Sequence, residues 1–182
     1  MPITNRYWIP LTDSTYNDSF NWSVTSGGPG GASIPDTSCN AFFDSSVTGS
    51  CHLDSSINIY GLILGSDYTN TVFLDNDATV NSLSLYGGKL KDNTGTIHCQ
   101  GDLICDSGFG SYSTDHDATI FMDSTDAQGI FISGGILPYL FINKQVTNQV
   151  KIHGTGDLFI NQDFRIMDGT VNSNGHDIKV GA

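Results

Sequence analysis

A two-part motif that occurs twice in the same order constrains this chain more than any other feature. Thr71-Val72-Phe73-Leu74-Asp75 is echoed by Thr119-Ile120-Phe121-Met122-Asp123, with every substitution conservative in size and polarity. Further on, Ile97-His98-Cys99-Gln100-Gly101-Asp102-Leu103-Ile104 is echoed by Ile152-His153-Gly154-Thr155-Gly156-Asp157-Leu158-Phe159. Between the halves lies Leu85-Tyr86-Gly87-Gly88-Lys89-Leu90, echoed by Ile132-Ser133-Gly134-Gly135-Ile136-Leu137. The offset is 48 residues for the first part and 55 for the second. Periods in this range mark stacked supersecondary units, each unable to bury its apolar face without a neighbour. A period near 50 residues is too long for one coil of a parallel β-helix and suits two. The stretch after an N-terminal cap then gives about six coils, a rod about 25–30 Å tall at the inter-strand spacing of about 4.8 Å.

Composition points the same way. All 19 acidic residues of the 182 are Asp, and Gly, Ser, Thr and Asn fill the space between short apolar runs. These residues favour turns and caps over helix interiors. The expected fold is all-β, a right-handed parallel β-helix with a small N-terminal cap; a β-sandwich is the alternative, but it would not produce repeats stacked in order. Residues 1–45 read as an aromatic and Gly-rich cap or attachment segment, and residues 46–182 as β-solenoid repeats. Candidate strands are 41–43, 57–64, 71–74, 82–86, 96–105, 119–122, 130–132, 140–142, 150–153, 158–160, 164–167 and 178–180. Strict alternation is clearest at Ile57, Ile59, Gly61 and Ile63.

The recurrent carboxylates invite a catalytic reading. Stacked two coils apart, Asp75 and Asp123, or Asp102 and Asp157, would lie about 10 Å from each other, near the upper end of the carboxylate separation in inverting glycosidases. Against this, Asp after a strand is the ordinary Asx-turn residue, and no second acid in an apolar setting stands out as proton donor. The repeat also suggests Phe73, Phe121, Leu103 and Leu158 as core residues, with its Asp and Gly as corners of the coil. His98 and His153 occupy matching motif positions, too far apart to share a metal and expected to face solvent. Asp75-Asn76-Asp77 and Asp115-His116-Asp117 carry oxygen donors, but neither continues into the spacing of a calcium loop. No Gly-x-Ser-x-Gly elbow and no phosphate loop is present. No catalytic, cofactor-binding or metal-binding residue is therefore assigned, and the chain is read as a non-enzyme.

Four cysteines, Cys39, Cys51, Cys99 and Cys105, include no CxxC pair. Cys99 and Cys105 share an alternating face with Ile97 and Leu103 and read as buried thiols acting as small hydrophobes. A Cys39–Cys51 disulfide is possible in principle, though assembly in the cytoplasm disfavours it. The net charge is −12, with seven Lys and Arg spread thinly, which excludes the clustered basic footprint of a nucleic-acid binder. The N-terminus lacks the apolar core of a secretory signal, and no run of about 18 apolar residues predicts insertion into a membrane.

The first 45 residues carry the functional pointer. Arg6-Tyr7-Trp8, Asn21-Trp22-Ser23, the run Ser26-Gly27-Gly28-Pro29-Gly30-Gly31-Ala32-Ser33-Ile34-Pro35, and Ala41-Phe42-Phe43-Asp44 occur in order. This pattern resembles the opening of a group of tailed-bacteriophage virion proteins, in which a "YW…NWS…SGGxGGASxP…FFD" segment precedes β-solenoid repeats in tail fibres, spikes and related appendages. Asp36-Thr37-Ser38-Cys39-Asn40 departs from the pattern before Phe42. The resemblance implies a structural role in the virion, assembled in the host cytoplasm as a homotrimer. It further implies contacts to other virion proteins through the N-terminal segment and, on the outside, a host-surface glycan. It transfers no catalytic residue. A capsid decoration protein and a polysaccharide-cleaving tailspike are the alternatives.

Overall fold

A computed structural model describes residues 2–109, 118–144 and 148–181. Among the described residues, every regular element apart from a three-residue 3₁₀ turn at Ser19–Asn21 is a strand. The strands stack as a β-solenoid of about six turns, and within each face of the stack the pairing is parallel. Each coil crosses three faces in turn.

Face 1 is built from residues 57–59, 78–80, Ile97–Cys99, Thr119–Met122, Tyr139–Asn143 and Phe164–Asp168. Face 2 begins one step earlier, with Thr4–Trp8 and Cys39–Phe43. It continues through 61–64, 82–85, Leu103–Asp106, Gln128–Ser133, Gln149–Gly154 and Thr170–Asn172. Face 3 holds Ser14–Thr15, Cys51–His52, Thr71–Leu74 and Lys89–Asp92, and higher up Ile136–Leu137, Leu158–Ile160 and Ile178–Val180. In the lower coils faces 1 and 2 are one unbroken strand, Ile57–Leu64 and then Ala78–Leu85; above them a turn separates the two.

Paired residues on face 1 are 19 to 25 positions apart in sequence, so one coil takes about half of the repeat period. The inward side chains line up in columns because a parallel, in-register stack places each above its counterpart. Ile57, Ala78, Ile97, Ile120 and Leu140 form one column, and Leu62, Leu83, Leu103, Ile130 and Ile152 another, all within a single buried core. Cys99 stands in the column between Val80 and Met122, and Cys105 between Leu85 and Ile132. Burial pushes both thiols up to about 12. All four cysteines are buried and free, so Cys39 and Cys51 form no disulfide.

The sequence repeat does not mark the stack in the way the offsets suggested. Leu85 and Ile132 do share a column, one on each side of Cys105, so the middle element recurs two coils apart at the same corner. One glycine of each pair there, Gly88 and Gly134, has the left-handed φ that the corner needs (66° and 97°). The other two elements slip by one face. Thr71–Leu74 lies on face 3 and Thr119–Met122 on face 1; Ile97–Cys99 lies on face 1 and Gln149–Gly154 on face 2. Asp75 and Asp123 are therefore not stacked carboxylates, and neither are Asp102 and Asp157. Phe73 and Phe121 are not core residues either: they face outward, while their neighbours Val72, Leu74, Ile120 and Met122 are buried. Leu103 and Leu158 are buried as expected.

The lower end of the core is closed by aromatic side chains. Trp8, Trp22, Tyr16, Phe43 and Tyr68 are all buried, with ring centroids 4.9 to 5.8 Å apart in successive pairs. Buried indoles need a partner for their N–H. Trp8 Nε1 donates to Gly49 O at 3.1 Å, and Trp22 Nε1 to Tyr16 O at 2.8 Å. Residues 26–35 carry no regular structure, as their glycines and prolines predict. Gly30 is required by close approach: a Cβ there would sit 2.1 Å from Phe20 O. The Thr4–Trp8 strand was not legible in the sequence, yet it pairs in parallel with Cys39–Phe43 and antiparallel with Trp22–Ser23.

Candidate functional site

Outside the core, the outward side chains also form ladders. His52 on face 3 stacks on Phe73 one coil up, with ring centroids 4.5 Å apart and planes 10° from parallel. Its Nδ1 lies 2.8 Å from Asp75 Oδ2, which also receives a hydrogen bond on Oδ1 from Asn93 Nδ2. The same unit recurs on face 1. His98 stacks on Phe121 at 5.3 Å and 10°, and its Nδ1 lies 2.6 Å from Asp123 Oδ2. Gln100 Nε2 donates to the other Asp123 oxygen at 2.5 Å. The repeated Phe-x-Asp is thus the upper half of a local clamp that holds a histidine of the coil below. This explains why the motif recurs although its two copies lie on different faces.

His153 takes part in a third stack, with Phe131 at 4.8 Å and 12°, but on face 2 and with the aromatic below. The matching motif positions of His98 and His153 therefore do not correspond in space. Asp102 accepts from Gly129 N at 2.7 Å, tying face 2 to the next coil. Asp157 accepts from Lys179 Nζ at 2.6 Å and from Asp177 N at 3.2 Å; the lysine hydrogen bond holds its carboxyl below the ordinary range. Asp77 accepts from Thr96 N at 2.9 Å and Thr96 Oγ1 at 3.0 Å, and Asn76 Nδ2 donates to Leu53 O at 2.9 Å. The carboxylates that looked catalytic thus make ties between coils. Asp115, His116 and Asp117 lie outside the described residues.

Thr96 Oγ1 is also 3.2 Å from His98 Nε2, giving the order hydroxyl, imidazole, carboxylate of a nucleophilic triad. Here the hydroxyl is shared with Asp77, and the histidine is clamped between Phe121 and Asp123. Among the described residues, no three His, Cys or Asp side chains converge as metal ligands.

Sequence reasoning missed His52 and the polar corner around Lys144. The signal for His52 was available at a period of one coil: His52 precedes its aspartate by 23 residues and His98 precedes its own by 25. Lys144 is almost fully buried. Its Nζ donates to Gln128 Oε1 at 2.6 Å and to Asp126 O. Gln128 Nε2 in turn donates to Cys99 O at 2.8 Å and to Gly101 O, so one polar chain spans three coils. Burial lowers the pKa of the Lys144 ammonium. No pattern in the sequence marks this lysine as inward.

The three most exposed large apolar side chains all belong to the cap. Phe20 is 74 % exposed, Leu11 69 % and Val24 63 %, although Trp22 beside them is fully buried. Comparison with protein-family models, with curated proteins and with solved structures returned no match.

Proposed function

We propose that this chain is a structural protein of a tailed-phage virion, part of a tail fibre, spike or similar appendage. Its cap docks on another virion protein and its rod acts by shape and adhesion, without catalysis. The opening segment that resembles phage appendage proteins supports this reading, and one structural observation carries it: Leu11, Phe20 and Val24, exposed on an end whose interior is already sealed by Trp8 and Trp22. Three large apolar side chains left in water beside a finished core are available for contact with another protein. A rod held by ladders and clamps gives an appendage a stiff body with short turns, and the β-solenoid is compatible with that use.

The test is incorporation. Purified particles are assayed for this chain by quantitative mass spectrometry, beside a variant carrying Leu11→Ser, Phe20→Ser and Val24→Ser. The expected result is a few copies per tail for the parent chain and loss of incorporation for a variant that still folds. Hundreds of copies per head would instead make it a decoration protein, and absence from particles would end the proposal.

A further inference from the structure

Face 2 carries a ridge of apolar and aromatic side chains on its outer surface. Pairing places Tyr7, Phe42, Ile63, Ile104, Phe131 and His153 in one outward column, each over the last, with only Ser84 between Ile63 and Ile104. Tyr7 packs on Phe42 at 5.3 Å and Phe131 on His153 at 4.8 Å. Phe131 remains 40 % exposed even so. Outward positions of a solenoid face are expected to be polar, as Asn58 and Thr79 are at the lower end of face 1. The ridge breaks that rule along nearly the whole rod. At the level of Ile63 the flanking positions are glycines, Gly61 and Gly65, and the space over Gly61 is taken by the side chains of Asn40 and Ser82 from the adjacent coils.

Charge decides what can cover it. The chain carries 19 acidic against 7 basic residues, yet no Asp, Lys or Arg lies in this column. A cationic partner would seek the carboxylates elsewhere on the surface. A second molecule of net charge −12 is repelled from most of it and approaches at least cost along an uncharged line. Carboxylates that flank the column are held within the chain: Asp44 accepts from Ser46 N and Oγ, Asp102 from Gly129 N and Asp106 from Ser107 Oγ. The available area also fits. Seven strands at about 4.8 Å and a width of about four residues give a strip of about 450 Å² per copy. Two such strips total about 900 Å², close to the roughly 1,000 Å² at which specific interfaces begin.

We infer that the face 2 ridge is the surface through which copies of this chain associate, ridge against ridge. The inference names the contact surface and stands on this face alone, so it holds or fails independently of the virion reading.

The experiment is light scattering coupled to size exclusion, with sedimentation equilibrium, at about 100 µM, where even a weak micromolar contact is occupied. The whole chain is expected to run at a multiple of its 19.5 kDa mass. Ile63→Lys combined with Phe131→Lys is expected to reduce it to the single-chain mass, with circular dichroism little changed because both side chains point outward and with melting lowered by the few degrees that loss of the Phe131–His153 stack costs. Thr79→Lys, outward on face 1, is expected to leave association intact. A parent chain that is monomeric at this concentration overturns the inference, as does an oligomer that survives the double substitution. If the double variant fails to fold, Ile104→Ser and Phe131→Ser replace it and are read by the same mass criterion.

Discussion

Adjacent residues on face 1 give the sharpest test of the packing, because the larger of the two should matter less. Ile120 is fully buried in the column between Ile97 and Leu140. Replacing it with Ala removes three carbons, worth about 2.4 kcal/mol of transfer at roughly 0.8 kcal/mol each. The coils above and below are fixed by the parallel ladder and close the gap poorly, so a cavity contribution of about 1 kcal/mol follows. Phe121 points outward, stacked on His98 and edge-on to Phe141 at 5.2 Å. Its removal forfeits about 1 kcal/mol of ring stacking and about 1 kcal/mol of burial on a ring that stays partly in water, and it opens no closed cavity. At about 2–4 °C per kcal/mol for a chain of this length, Ile120→Ala should lower Tm by about 10 °C and Phe121→Ala by about 6 °C. Differential scanning calorimetry reads both. A Phe121→Ala loss equal to or larger than that of Ile120→Ala would refute the assignment of inward and outward columns.

The remaining expectations concern thiols, acid stability and the cap. With every cysteine buried and Cys51, Cys99 and Cys105 pushed up by burial, a thiol reagent at pH 8 should modify almost nothing in the native state and four sites after denaturation; rapid native labelling would contradict the columns. The Lys179 ammonium holds the Asp157 carboxyl low, so this pair supports the fold above the ordinary carboxylate pKa and loses that support as pH falls through the lowered value. Asp157→Asn should therefore lower Tm slightly at neutral pH and converge with the parent as pH falls through the lowered value, which flattens the acid limb of the Tm–pH curve; an unchanged acid limb would count against the pair. Trp22→Ala should cost about 3–5 kcal/mol, because a fully buried indole plugs the core end and donates to Tyr16 O. Chemical denaturation checks this, and a loss under about 1 kcal/mol would mean that the cap is not part of the core.

Much of the fold was legible because short strands with turn residues between them leave a local record. Ile57–Leu64, Thr71–Leu74, Thr119–Met122, Leu158–Ile160 and Ile178–Val180 lie where the pattern put them. The 96–105 run reads as one strand because its alternation is unbroken, whereas the chain turns a corner between Cys99 and Leu103. Stack register was harder. Repetition in sequence suggests repetition in space, but the similarity of Thr71–Asp75 to Thr119–Asp123 comes from a shared partner type, a histidine one coil below. An aromatic and an aspartate two residues apart clamp a histidine equally well on any flat face. The outward aromatics Phe73 and Phe121 illustrate the same gap: alternation tells which residues share a side and not which side is inside. The inward Lys144 was invisible for a different reason, since its burial depends on acceptors from Asp126 and Gln128, brought beside it by the coil.

The central claim is that one coil, and not the sequence repeat, sets which residues are neighbours. Phe73 pairs with Lys91 on face 3, both outward, whereas its sequence counterpart Phe121 lies on face 1. Two double variants on a background lacking the native thiols test this directly, Phe73→Cys with Lys91→Cys and Phe73→Cys with Phe121→Cys. A short bifunctional thiol reagent is expected to join the first pair within single chains and to leave the second unjoined. Efficient coupling of 73 to 121 without coupling of 73 to 91 would contradict the stack.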